Sequence, residues 1–187
     1  MRRRNAAATR EAILASARLA FVRSGYEGAG VREIAQGAGV TAMLVNRYFG
    51  SKERLFAEVV AAIMAKPIIL SPKNLKSENP GDAFAAALVN ITETQAIPLE
   101  GFQIMLRSAS SERAAQIGRE QIEKHYQKTL AAALGGDLAA QRAAVLLSLV
   151  AGFQVMRQMI ALPALAESSP KALVKILGPL FQQLMKG

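Results

Sequence analysis

Apolar positions recur at helical spacing along almost the whole chain. In 9–24, Ile13, Ala17, Ala20 and Phe21 fall on one stripe, which predicts a first helix stopped at Gly25. Val31, Ile34 and Ala35 predict a short second helix ending at Gly37. The small residues Gly37-Ala38-Gly39-Val40 predict a tight turn, with Val40 plugging the joint between two helices. Thr41 is placed to cap a third helix, its hydroxyl accepting from a free backbone N–H. Ser51 caps a fourth in the same way, from Lys52 to about Ala65, with Leu55, Phe56, Val59 and Ile63 along one face.

Pro67, Pro72 and Pro80 then break the pattern. Asp82 is a plausible cap for a helix over Ala83–Ala96, ended near Pro98. Gly101–Ser108 predicts a short apolar helix, and Ser111–Leu134 a longer one closed by Gly135-Gly136. Asp137 is placed to cap a helix running to about Leu162, where Pro163 stops it. Ser169 caps the last helix with Pro170 at its first position, and Ala172, Ile176, Leu180 and Leu184 repeat every four residues along it. No strand alternation interrupts this. The expected fold is all-α with about nine helices: an N-terminal three-helix helix-turn-helix domain over 1–65 and a C-terminal helical domain over 66–187.

Composition narrows the chemistry. The 187 residues include no cysteine, which excludes disulfides, thiolate metal sites and a cysteine nucleophile. His125 is the only histidine, and no glycine-rich phosphate loop or paired carboxylate is evident. Neither an enzyme, nor a metal, nor a cofactor is expected. A cytoplasmic location is compatible with the missing cysteines. The most apolar run, Ala143–Phe153, is about half of the ~20 residues a membrane span needs, and Gln154, Arg157 and Gln158 break it. It is expected to be a buried or interface helix, with no membrane partner. The basic N-terminus lacks the apolar segment of a signal peptide.

The net charge is +9, which suits a polyanion. Residues 1–60 hold ten Lys/Arg against five acids, or +5, so the excess is densest there. That region contains the helix-turn-helix pattern of 31–55, whose second helix would lie in a DNA major groove. Its exposed start carries Thr41, Ala42 and Met43, followed by Asn46 and Arg47. Asn can pair adenine and Arg guanine, and either can hold phosphate. Tyr48 can reach phosphate through its hydroxyl. Lys52, in the first turn of the next helix, is a candidate phosphate clamp. Arg2, Arg3 and Arg4 are candidates for a minor-groove arm.

Residues 9–60 resemble the DNA-binding domain of the TetR family of bacterial transcriptional regulators. The resemblance is carried by Ile13-Leu14, Ala17, Phe21, Gly25-Tyr26, Ile34-Ala35, Ala38-Gly39-Val40-Thr41, Tyr48-Phe49-Gly50-Ser51-Lys52-Glu53 and Leu55. It implies a helical homodimer on a near-palindromic operator and makes 66–187 a divergent C-terminal ligand-binding and dimerisation domain that takes a small ligand. Two positions depart from the family: Asn46 replaces a common Tyr, and Ala29-Gly30 replaces a usual Thr or Ser. The second helix therefore begins on a poorer cap, Gly30, with its backbone N–H groups and Arg32 left to meet phosphate.

In the second half, Phe102, Met105, Leu106, Tyr126, Phe153 and Met156 are candidates to line an apolar effector site, since methionine adapts to apolar ligands. The 137–162 helix is apolar on more than one face, as expected if one face meets a second subunit. Leu147, Val150 and Ala151, with Leu173, Leu177 and Phe181 of the last helix, are the expected dimer contacts. The expectation is a ligand-responsive regulator, a repressor, released from DNA by a small apolar effector. Its rivals are a non-specific basic DNA-coating protein without effector and a peripheral lipid-surface protein.

Overall fold

The computed structural model describes residues 2–65, 68–93 and 100–186, with side chains from Ala6 onward. Its helices are α1 (Arg2–Gly28), α2 (Val31–Gly37), α3 (Ala42–Phe49), α4 (Lys52–Met64), α5 (Pro72–Leu75), α6 (Pro80–Glu93), α7 (Glu100–Ser108), α8 (Glu112–Ile122), α9 (Lys128–Leu134), α10 (Ala139–Gln154), α11 (Pro163–Ala166) and α12 (Pro170–Lys186). Wider π-helical turns, Glu123–Gln127 and Val155–Met159, join α8 to α9 and extend α10. With α8–α9 counted as one helix and the single turns α5 and α11 set aside, the described residues form nine helices and no strand.

Several termini differ from expectation. The first helix begins before Thr9, and Gly25 interrupts it with φ +65, an angle that favours glycine. Helix α6 starts at Pro80, which puts Asp82 in its first turn, where a carboxylate favours the helix dipole. Its expected end at Ala96–Pro98 lies outside the described residues. Asp137 does not cap α10; the left-handed Leu138 does, and its side chain makes no cap bond. Arg142 secures that turn instead, donating to the carbonyls of Asp137 and Gly135 and to Leu184 O at 3.1 Å.

The chain forms two compact units. The first joins Met1–Ala65 to Glu100–Gln121, and the second joins Lys66–Leu99 to Ile122–Gly187. Instead of one division at residue 65, the chain crosses three times, and α7 and most of α8 belong to the first unit. There α7 runs parallel to α1: Arg18 pairs with Glu100, and eight residues on, the Tyr26 N–H donates to Ser108 Oγ at 2.9 Å. The core beneath is aromatic. The Phe56 ring lies 5.0 Å from those of both Phe21 and Tyr26, edge-on to each. A Cβ on Gly25 would stand 2.4 Å from the Arg107 carbonyl oxygen, so close approach as well as φ requires glycine there.

In the second unit α6 packs on α12, with α10 alongside. Phe84 and Phe181 meet at 6.4 Å amid Leu88, Leu130, Leu146 and Leu173. The two helices touch at Gly81, where a Cβ would lie 2.6 Å from Gly178 O and 2.7 Å from Gln182 N. Gln182 Oε1 accepts from the Gly81 N–H at 2.9 Å. Arg157 is 6% exposed. Its guanidinium donates to Val89 O (2.9 Å), Thr92 Oγ1 (2.7 Å) and Leu165 O (3.1 Å). These bonds hold the buried guanidinium between α6 and α11.

The stretch Ala139–Met159 is 21 residues, longer than the apolar run read from sequence, and by length and composition could cross a membrane. Its Ala143 and Leu146 are committed to the unit's core, and Arg157 is bound within it.

Candidate nucleic-acid interface

Helices α2 and α3 take their places because each buries one apolar side. Ile34 and Ala35 of α2 and Val45 and Phe49 of α3 enter the core. The turn between them closes with Val40 N–H donating to Ala35 O at 2.9 Å. Ser16 of α1 donates its hydroxyl to Ile34 O at 2.8 Å, locking α2 against α1. Thr41 caps α3, its Oγ1 accepting from Leu44 N at 3.3 Å, and Ser51 caps α4 through Arg54 N at 3.2 Å. Gly30 begins α2 without a side-chain cap bond.

The pattern of α3 leaves Met43, Asn46 and Arg47 exposed within roughly a third of the helix circumference. Ala42 and Tyr48 are half-buried at the flanks. Among the described residues neither Asn46 nor Arg47 spends its side chain on an ion pair or hydrogen bond.

The charges of this unit are sorted. Arg10 pairs with Glu58, Arg18 with Glu100, Arg23 with Glu33 and Arg113 with Glu53. Arg32 on α2, Arg47 on α3 and Arg54 on α4 are exposed and have no carboxylate partner among the described residues. Arg54 was not among the residues expected from sequence. Its signal was available: it is basic and lies in the first turn of a helix capped by Ser51.

Lys52, the candidate phosphate clamp, also makes contacts within the protein. Its Nζ stands 4.6 Å above the Tyr26 ring and donates to Glu27 O at 3.3 Å. Burial, with Glu53 and Glu27 nearby, pushes the Tyr26 hydroxyl pKa above its ordinary value. A shallow groove of about 600 Å³ lies beside α4, lined among others by Glu53, Arg54, Arg113 and Glu120. Both signs of charge meet there, so it is not a simple anion site. The side chains of Arg2, Arg3 and Arg4 lie outside those described.

The effector candidates divide between the units. Phe102, Met105 and Leu106 lie on α7 in the first; Tyr126, Phe153 and Met156 lie in the second. Met105 packs at Gly118 of α8, where a Cβ would come within 2.0 Å of Met105 Cε, so it helps hold α7 to α8. Tyr126 and Phe153 pack against the second unit's core, whereas Leu106 and Met156 are exposed. Burial raises the Tyr126 pKa. The described residues contain no group of three or more potential metal ligands.

The expected dimer contacts lie at different depths in the second unit. Leu173, Leu177 and Phe181 are buried in the second unit's own core against α6, because they form the inward stripe of α12. Leu147 and Val150 also pack partly against that core, and Ala151 is half-buried. Within α10 and α12 the large apolar side chains left exposed are Val145, Ile176 and Leu180, the last two 63% and 45% exposed.

Comparison with known proteins places these units. Residues 13–59 match the family model described as bacterial regulatory proteins, tetR family. Residues 78–185 match that of the tetracyclin repressor-like C-terminal domain. Solved structures of similar fold span both units. A transcriptional regulator from Rhodococcus sp. Rha1 is 26% identical, with 95% of this chain and 96% of that chain covered, at TM-score 0.66. A TetR-family regulator from Streptomyces coelicolor A3 is 23% identical over 97% and 96%, at 0.63. NalD of Pseudomonas aeruginosa, the secondary repressor of the MexAB-OprM multidrug efflux pump, is 17% identical over 95% and 96%, at 0.64. No curated protein matches significantly.

Proposed function

This chain belongs to the TetR family of bacterial regulatory proteins, and from that membership we propose that it is a ligand-responsive transcriptional repressor. It binds a near-palindromic operator as a homodimer and is released by a small apolar effector. The observation that carries the reading is the exposed face of α3. Met43, Asn46 and Arg47 are held outward by a buried opposite side, while the unpaired Arg32 and Arg54 lie on the helices either side in sequence. Base readout falls to Met43 and Asn46 of α3, and phosphate contact to Arg32, Arg47, Arg54, Thr41, Tyr48 and the start of α4.

Two copies of α3 spaced about one DNA turn apart would occupy successive major grooves. The second copy is held through the outer apolar faces of α10 and α12, around Val145, Ile176 and Leu180. The effector, bound in the C-terminal domain beside Tyr126 and Phe153, favours a dimer shape in which that spacing no longer fits. Such a switch requires the effector to bind the two shapes with different affinity. A cytoplasmic location follows from this role.

Selection of sheared genomic DNA by the purified protein at moderate salt tests the reading. Enrichment of one or a few short near-palindromes is expected. Broad enrichment without a motif, erased by salt, would instead identify a non-specific DNA-coating protein.

A further inference from the structure

Met43 is 79% exposed, more than any other large apolar side chain described in the DNA-binding unit. It supports neither the core nor a helix cap. It occupies the second position of α3, one turn before Asn46 and four residues before Arg47, so all three project from one face. We propose that Met43 is a specificity-determining residue that reads the C5-methyl group of a thymine in each half-site, next to an adenine paired by Asn46. This rests on α3 being the recognition helix.

The chemistry of the major groove leads to that assignment. Base edges there present hydrogen-bond donors and acceptors, and the thymine methyl is their only apolar group. A thioether side chain pressed against the cytosine amino group or a purine edge would desolvate polar atoms without pairing them. Against a thymine methyl it removes apolar surface of both partners from water. Methionine is unbranched and can follow the methyl through several rotamers. Asn46 accepts from and donates to the adenine edge with its amide. Three residues of helix rise by about 4.5 Å, against about 3.4 Å between stacked base pairs. Met43 and Asn46 therefore reach the same or adjacent pairs, and each half-site carries A·T pairs at this place.

The test uses the full chain and two pools of duplex DNA with randomised centres, one made with thymine and one with deoxyuridine in its place. Selection from the thymine pool should return a motif with A·T pairs at matching positions of both halves. Replacing the critical thymine by uracil removes one methyl and should weaken binding about fourfold per half-site. Met43→Ala should lose that discrimination, and Met43→Leu, still apolar, should keep part of it. The exposure of Met43 means that thermal melts of both variants should match the parent protein. Equal affinity of the parent protein for thymine and uracil duplexes at every motif position overturns the proposal while leaving the regulator intact. So does discrimination that survives in Met43→Ala. Absence of any motif in either pool overturns the DNA-regulator reading itself.

Discussion

The hydroxyl of Ser108, at the end of α7, accepts the backbone N–H of Tyr26, at the end of α1, at 2.9 Å. Both residues are buried and lie 82 positions apart. The bond ties a distant stretch of chain to α1, against which α2 and α4 pack. Removing the acceptor leaves a buried N–H unpaired, and such a group costs about 1–3 kcal/mol. Ser108→Ala should therefore destabilise the protein by that amount in urea unfolding. A change under a few tenths of a kcal/mol would mean that another acceptor takes over.

Gly81 lies where α6 crosses α12. A methyl there would meet backbone atoms, Gly178 O at 2.6 Å and Gln182 N at 2.7 Å, which cannot rotate away. Gly81→Ala should cost about 1–3 kcal/mol as an overpacked contact, despite the higher helix propensity of alanine. Thermal unfolding checks this. An unchanged or raised melting temperature would show that the two helices separate freely.

Arg47 is exposed and without an acid partner, so its loss should leave folding unaffected. As a phosphate contact, Arg47→Ala should weaken binding by similar factors across different DNA sequences and lower the salt slope by about one. Titrations at several salt concentrations separate this from base readout. Loss confined to one base position, with the slope unchanged, would assign Arg47 to guanine instead.

Ile176 and Leu180 form an apolar outer stripe on α12 while Leu173, Leu177 and Phe181 hold its inner side. Ile176→Glu combined with Leu180→Glu should leave the fold intact and convert the protein to monomers in sedimentation. Affinity for a two-half-site operator should fall by orders of magnitude while non-specific binding persists. A dimer surviving both charges would move the interface elsewhere.

Sequence alone determined the helical class, the glycine break at Gly25 and the caps Thr41 and Ser51. These depend on periodicity and on bonds between neighbours in the chain, so a local pattern suffices. The same locality exposes Met43, Asn46 and Arg47: Val45 and Phe49 are apolar at the spacing that fills the opposite side of a short helix.

Tertiary structure decided what required partners from far along the chain. Nothing near Lys52 in sequence indicates that its ammonium rests on the Tyr26 ring. Nothing near residues 100–121 indicates that they belong with the first unit, because that choice is made by the Tyr26–Ser108 bond and the close approach at Gly25. The last helix shows the limit most directly. Its two apolar stripes, 173/177/181 and 172/176/180, look alike in one dimension. Only the packing of Phe181 against Phe84 selects which stripe is core and leaves the other outside.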